Sequence, residues 1–258
     1  MKRRITVAAV HGWATDSSVW EGFLKHLNAG FNVVNLNLPG HGNKANDDGW
    51  GLPSFKPGRD FLLRSIERQR PGPIIGVGWS LGAGLLIDCA AKGRGLFDAI
   101  VLVGATPCFV KRPDFLFAQP GPLARRMIMD MKKDPAAALK RFYGLNFTEE
   151  ELLTGPAKSF IERFNGLSGG FRRDDLANAL QALCKTDLRD LLPVINAPTL
   201  VMHGSLDAVC PAGAGRFLAD NIKNARLVEF KGLGHAPFVT RPKDFAGAVS
   251  VFIEGLGL

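Results

Sequence analysis

Gly78-Trp79-Ser80-Leu81-Gly82 is the stretch on which the reading of this chain turns. The residues before it, 73–77, are a short apolar run that reads as a strand. The residues after it, 81–92, read as a helix. The five residues fit G-x-S-x-G, and a strand before with a helix after is the context that this motif requires. Flanking glycines permit a tight, strained turn. Such a turn pushes the serine hydroxyl out at the carboxyl end of the strand. The helix that follows aims its N-terminus at the same spot, where partial positive charge favours developing negative charge. Ser80 is therefore the candidate nucleophile.

A serine hydroxyl is a weak nucleophile near neutral pH, so it needs a base, and the base needs an orienting group. Where the serine sits on such a strand-to-helix elbow, an Asp or Glu and then the histidine follow it along the chain. Asp207 stands in His203-Gly204-Ser205-Leu206-Asp207, after a predicted strand. His235 stands in Gly232-Leu233-Gly234-His235-Ala236-Pro237, after the last predicted strand. Both lie where such sheets place their sites. The catalytic expectation is Ser80 as nucleophile, His235 as general base and Asp207 as its orienter. Acyl transfer also needs donors for a tetrahedral oxyanion. The Leu81 N–H, just past the nucleophile, is one. The Trp13 N–H in His11-Gly12-Trp13 is the other, and the Trp13 indole can wall an acyl pocket. Of the remaining histidines, His11 is expected to shape the oxyanion loop, and His41 to shape the turn Pro39-Gly40-His41-Gly42. His203 is expected to pack in the core and His26 to be structural. No spacing suits a metal site, a phosphate-cradling loop or a dinucleotide fingerprint, so no cofactor and no metal are expected.

Strands are predicted at 5–10, 31–36, 73–77, 99–103, 199–202 and 225–230. Helices are predicted at 20–29, 59–69, 81–92, 213–221 and 245–255. Several of the strands are unbroken apolar runs, as parallel strands buried on both faces should be. The alternation predicts an α/β fold with a doubly wound, mostly parallel sheet. One stretch breaks the rhythm: 123–133, 135–143, 149–164 and 173–184 all read as helices, with Asp134-Pro135 as a start signal. The expected organisation is a core of 1–107 and 193–258, with 108–192 as a helical cap inserted between strands.

The 258 residues carry 46% hydrophobic and 22% charged side chains, an ordinary globular balance. No apolar run approaches the roughly 18 residues of a membrane span. The basic start, Met1-Lys2-Arg3-Arg4, is followed by too short an apolar run for a secretory signal. The expectation is a cytoplasmic protein. Its four cysteines, Cys89, Cys108, Cys184 and Cys210, are expected to be free thiols. The net charge of +8 points to an anionic partner without naming it.

With these residues in view, the chain resembles the α/β-hydrolase superfamily over nearly its whole length. The likeness rests on His11-Gly12-Trp13, Leu38-Pro39-Gly40-His41-Gly42, the elbow at 78–82, Asp207 and His235. A narrower likeness is to the biotin-synthesis esterases that demethylate pimeloyl-[acyl-carrier protein] methyl ester. It is carried by Gly-Trp-Ser-Leu-Gly at 78–82, Thr106-Pro107-Cys108-Phe109, Arg141-Phe142, Thr186-Asp187-Leu188-Arg189 and His235-Ala236-Pro237-Phe238. The resemblance implies a serine carboxylesterase acting through an acyl-enzyme. It implies that Trp13, Leu81, Phe142, Tyr143, Gly144, Leu145, Asn146 and His235 contact the substrate. It further implies an acidic acyl-carrier protein docked on Arg125, Arg126, Lys132, Lys133, Lys140 and Arg141. Between 120 and 141 there are six basic and two acidic side chains, a net charge of +4. Two departures stand out. Glu149-Glu150-Glu151 interrupts the basic surface, and Ala14 occupies a position where many superfamily members have glycine. Small esters are the other expected partners; nucleic acid and membrane are not, and the chain is expected to act as a monomer. Alternatives are a general short-chain carboxylesterase, a carbon–carbon bond hydrolase or lyase of the same fold, and a non-catalytic ligand-binding receptor. The intact Ser-Asp-His set disfavours the receptor.

Overall fold

The computed structural model describes residues 4–27, 30–42, 49–93, 95–165 and 171–258. Met1, Lys2 and Arg3 of the basic start lie outside the described residues, as does Ala29, the predicted end of the first helix. Six parallel strands form one sheet in the order β2-β1-β3-β4-β5-β6. They are β1 Thr6–Val10, β2 Asn32–Leu36, β3 Ile74–Trp79, β4 Ala99–Val103, β5 Thr199–Gly204 and β6 Ala225–Phe230. Every residue of β1, β3, β4 and β5 is buried. The outer strands β2 and β6 are largely half-exposed or exposed. Unbroken apolar runs thus mark the strands covered on both faces. Each buried Val, Ile or Leu there contributes roughly 1.5–3 kcal/mol relative to exposure. The chain leaves β1 in one direction for β2 and returns to its other side for β3. The loops after β1 and β3 therefore part at a switch point at the carboxyl edge, where open sheets form their sites.

The helices are α1 Glu21–Leu24, α2 Lys56–Glu67, α3 Leu81–Lys92, α4 Gly121–Lys133, α5 Pro135–Leu145, α6 Glu149–Leu152, α7 Gly155–Phe164, α8 Arg173–Lys185, α9 Ala212–Asn221, α10 Pro237–Thr240 and α11 Pro242–Glu254. Of these, α1 packs with α11, while α2 packs with α3, and both α3 and α9 pack with the 3-10 turn Arg189–Val194. The first predicted helix is shorter than expected. The N–H groups of His26 and Leu27 bond to carbonyls three residues back, which tightens the chain into turns after Leu24. The predicted helix 149–164 is two helices. Pro156 cannot extend the ladder of α6, and Thr154 caps α7 by accepting from the Ala157 N–H. Asp134 caps α5 in the same way, accepting from the Ala137 N–H at 3.1 Å.

Helices α4 to α8 all lie between β4 and β5 in the chain. They form a helical insertion at the carboxyl edge. Its aromatic interior runs from Phe164 through Phe160, which meets the Trp79 ring edge-on at 6.1 Å between centroids. Helix α7 also packs on α10, which follows the last strand. No helix among the described residues is long and apolar enough to cross a membrane.

Candidate active site

Ser80 joins β3 to α3 with φ +53° and ψ −111°, a conformation that L residues rarely adopt. Two glycines make the turn possible. A side chain at 82 would lie 2.5 Å from the Val10 carbonyl oxygen, and one at 78 would lie 2.8 Å from the Ala83 backbone. The Ser80 N–H is held by the Val103 carbonyl at 2.9 Å. Leu81 opens α3, so its N–H has no carbonyl one turn back and points free of the helix.

His235 and Asp207 meet in a buried pair. The Nδ1 of His235 donates to Asp207 Oδ2 at 2.7 Å. The other carboxylate oxygen of Asp207 accepts from the N–H groups of Val209 and Cys210, both at 2.8 Å. Burial alone would raise the Asp207 carboxyl. The His235 charge and the hydrogen bonds from His203 and His235 outweigh it and hold the group below the usual carboxylate range. The Nε2 of His235 is buried and has no hydrogen-bond partner among the described residues. Trp79, adjacent to Ser80, lies against the imidazole at 5.4 Å between centroids, and its indole donates to the His235 carbonyl at 3.0 Å. Gly104 supplies the opposite wall: a side chain there would come within 2.8 Å of His235 Nδ1. His203, read from sequence as a core residue, is buried but not idle. Its Nε2 donates to the Cys210 carbonyl at 2.7 Å and lies 3.2 Å from Asp207 Oδ2. Burial opposes its protonation, yet the Asp207 hydrogen bond and charge raise it above the ordinary histidine value.

The loop after β1 carries Trp13. Its N–H has no acceptor among the described residues. His11 ties this loop to the end of β2. The Leu38 N–H donates to its Nε2 at 2.9 Å, so Nδ1 carries the proton and donates to the Gly12 carbonyl at 2.7 Å. Burial, then the neighbouring His41, pushes His11 down to about 3, which keeps it neutral. His41 is buried against Trp50 and Phe171, donates from Nδ1 to the Pro39 carbonyl, and is pushed down to about 4 by burial. Ala14 has φ +56°, the conformation that explains why glycine suits the position. Two bonds from the insertion clamp the same loop. Tyr143 donates its hydroxyl to the Ala14 carbonyl at 2.7 Å, and the Trp13 indole donates to the Leu176 carbonyl at 2.8 Å.

A cavity of about 450 Å³ opens between α4, α5 and the loop after β5. Phe109, Leu123, Met127, Phe142, Leu145 and Val209 give it an apolar lining. Phe109 also borders the small pocket that contains Ser80. The run 142–146, expected to line an acyl channel, divides between this cavity and the loops around it. Phe142 and Leu145 face the cavity, and Ala138 and Arg141 share their stripe at helical spacing. Tyr143, Gly144 and Asn146 do not line it: helical rotation turns Tyr143 toward the β1 loop and Asn146 toward the His235 loop. Trp13 is buried beside the cavity, edge-on to Phe142 at 4.9 Å, and Leu81 is fully buried. The six predicted docking residues, Arg125, Arg126, Lys132, Lys133, Lys140 and Arg141, are all exposed. Arg126 and Arg141 converge on Asp130 at the cavity mouth, at 3.3 and 2.8 Å.

Two side chains, Trp79 and Glu151, and the backbone role of Asn146, a residue expected to contact substrate, escaped the sequence reading. Trp79 carried a usable signal, since a buried indole N–H must find an acceptor. The Asn146 carbonyl, which accepts the His235 N–H at 2.8 Å, left none. Glu151 left half a signal. Thr148-x-x-Glu151 is a capping box, but nothing local says that the carboxylate also reaches the Gly234 N–H at 2.7 Å.

A profile described as the alpha/beta hydrolase family matches residues 7–248. A pimeloyl-[acyl-carrier protein] methyl ester esterase from Aromatoleum aromaticum is 31% identical, over 98% of this chain and 99% of that one. The protein of the same name from Nitrosomonas europaea is 32% identical, over 92% and 90%. Among solved structures, an esterase from Exiguobacterium antarcticum superposes with a TM-score of 0.88 at 23% identity, covering 98% of this chain and 93% of that one. At that identity the match speaks for the fold.

Proposed function

We propose that this chain, which belongs to the alpha/beta hydrolase family and is a carboxylic ester hydrolase, cleaves the methyl ester of a pimeloyl chain borne by an acyl-carrier protein. The observation that carries the mechanism is the buried Asp207–His235 pair, whose imidazole keeps a second nitrogen with no partner among the described residues. The reading adds one link, a hydrogen bond from the Ser80 hydroxyl to that nitrogen.

Ser80 Oγ attacks the ester carbonyl as His235 Nε2 takes its proton. Asp207 holds the imidazole by Nδ1 and stabilises the imidazolium. The Trp13 and Leu81 N–H groups receive the oxyanion. Collapse breaks the bond to the methoxy oxygen, His235 returns the proton to it, and methanol leaves. A water then gives a proton to His235 and attacks the acyl-enzyme. The second collapse frees the ω-carboxylate and restores the Ser80 hydroxyl. The helical insertion acts as a lid whose apolar cavity holds the chain, with Phe142 and Leu145 on one wall. The basic face of α4 and α5 receives the acidic carrier. Its two arginines at the cavity mouth mark where carrier and chain meet.

The decisive experiment supplies methyl pimeloyl-carrier protein and follows loss of the methyl group by intact-protein mass spectrometry. The wild-type chain should demethylate it. Ser80→Ala should lose on the order of 10⁶-fold in kcat and should resist fluorophosphonate labelling. Hydrolysis of p-nitrophenyl esters without demethylation of the carrier-bound ester would assign a general short-chain esterase instead.

A further inference from the structure

Thr148-Glu149-Glu150-Glu151 opens α6 with a capping box. Such a glutamate ordinarily sits in solvent at a helix start. Glu151 is only 4% exposed. The helix it caps has four residues, so little helical stability depends on the box. Its carboxylate faces three neutral donors. Oε2 accepts from the Thr148 N–H at 2.9 Å and the Gly234 N–H at 2.7 Å. Oε1 accepts from the Thr240 hydroxyl at 2.5 Å. Gly234 immediately precedes His235, and Thr240 ends the short helix α10 that follows it. The His235 N–H itself is taken by the Asn146 carbonyl at 2.8 Å. The segment is gripped from the other side too. A side chain on Gly204, at the end of β5, would lie 1.9 Å from the Gly234 carbonyl oxygen, and one on Gly234 would lie 2.6 Å from the Asn146 carbonyl oxygen. Backbone thus presses on backbone above and below the loop.

We infer that Glu151 is a positioning residue for His235: from the helical insertion, its carboxylate holds the chain on both sides of the histidine, at the Gly234 N–H and at the Thr240 hydroxyl. The inference rests on the reading of His235 as general base. Asp207 anchors the imidazole at Nδ1, and Trp79 and Gly104 wall the ring in. The position of Nε2 then depends on where the backbone of 234–240 lies, and Glu151 sets this at two points. Loss of the carboxylate would leave the Gly234 N–H without its buried acceptor and release the α10 end. A displacement of about 1 Å at a reacting group is enough to cost on the order of 100-fold in rate.

The test compares Glu151→Ala, Glu151→Gln, Thr240→Val, His235→Ala and the exposed neighbour Glu150→Ala. A short p-nitrophenyl ester is used as substrate, so that the cavity and the carrier surface play little part. Glu151→Ala should lower kcat by about tenfold to a hundredfold, with KM changed by less than about twofold. Fluorophosphonate labelling of Ser80 should slow by the same factor. The downfield proton resonance of His235 Nδ1–H should shift or broaden. Glu151→Gln, which keeps an oxygen for the Gly234 N–H, should recover most of the rate. Thr240→Val should lose about threefold, and Glu150→Ala should match the wild type. A fall in melting temperature with kcat and labelling rate unchanged in Glu151→Ala would reduce Glu151 to a structural residue and overturn the inference. Should Glu151→Ala fail to fold, Thr240→Val decides: an unchanged kcat overturns it and a lowered one supports it. Inactive His235→Ala beside fully active Glu151→Ala would sink the inference alone. Full activity in His235→Ala would sink the general-base reading and the inference together.

Discussion

The turn of Ser80, the proposed nucleophile, and the histidine loop lie at the same edge of the sheet but are held in different ways. Among the described residues, the backbone that fixes Ser80 belongs to the first 107: the strand before it, the helix after it, the Val103 carbonyl and two glycines against backbone. The loop of His235 is held from both sides of the cleft. The core contributes Asp207, the Trp79 indole and the close approach of Gly204. The insertion contributes the Asn146 carbonyl and the Glu151 carboxylate. The proposed nucleophile is thus a local property of the sheet. The proposed base is a property of the assembled molecule, and a movement of the insertion that left Ser80 in place would still displace it.

Asp207→Asn attacks the core half of that grip. An amide cannot take both the His235 proton and the two N–H bonds of Val209 and Cys210 with the same charge, so the imidazole loses its tautomer. The expected loss in kcat on a short ester is on the order of 10⁴-fold. The folded structure should survive, because the backbone bonds to Oδ1 remain possible. If Asp207→Asn costs less than Glu151→Ala, the insertion holds the histidine more firmly than the core does, and the comparison tilts further toward the assembled molecule.

The same division explains what the sequence disclosed. The positions of Ser80, Asp207 and His235 just past strand ends were legible from the strands before them, the buried β3 and β5 and the half-exposed β6, and from nearby glycines that mark tight backbone. The parallel sheet was legible for the same reason: its four inner strands are unbroken apolar runs. The insertion was legible as helices, and Asp134-Pro135 located one boundary to the residue. Its inward contacts were not. The bond from Gly234 to Glu151 joins residues 83 apart, and the bond from Tyr143 to Ala14 joins residues 129 apart. Periodicity places Tyr143 on a helix face but does not say which loop that face meets. Read along the chain, Glu149-Glu150-Glu151 is an acidic run interrupting a basic surface. In three dimensions its third member has left the surface altogether.

The loop bearing Trp13 is an intermediate case, clamped by Tyr143 from the insertion and by His11 from the core. Acid tests the core side. His11 and His41 are pushed down to about 3 and about 4 by burial. Both therefore bind protons less readily when folded than when unfolded, where an ordinary histidine titrates near pH 6.5. The stability that they contribute is full above about pH 6.5 and is lost as pH falls toward the folded values, at up to about 1.4 kcal/mol per unit for each. His203, raised above its ordinary value, has the opposite sign and acts above that window. Urea melts between pH 6.5 and 4.5 should show stability falling with acid. His41→Asn, whose amide can still donate to the Pro39 carbonyl, should shallow that slope by about one proton. An unchanged slope would mean that this part of the core carries no proton linkage and that the insertion dominates the loop.

The smallest effect has the opposite sign and isolates the nucleophile turn. Ser80 is held at φ +53°, where a side chain costs on the order of 1–3 kcal/mol. Glycine accepts that conformation freely but gives the unfolded chain more freedom, which removes about 0.4–1 kcal/mol of the gain. Ser80→Gly should therefore raise stability by about 1 kcal/mol, or roughly 2–4 °C in melting temperature for a chain of this size, while hydrolysis is lost. Ser80→Ala keeps the side chain at the same φ, so it should lose hydrolysis without the gain. The difference between the two variants measures the strain stored in the turn, free of any contribution from the missing hydroxyl. If both melt with the wild type, the turn is unstrained and the glycines at 78 and 82 alone shape it. If Ser80→Gly alone rises, the core bears a standing cost to present one hydroxyl, whereas the histidine loop, which has no such residue, is held by its bonds and close packing.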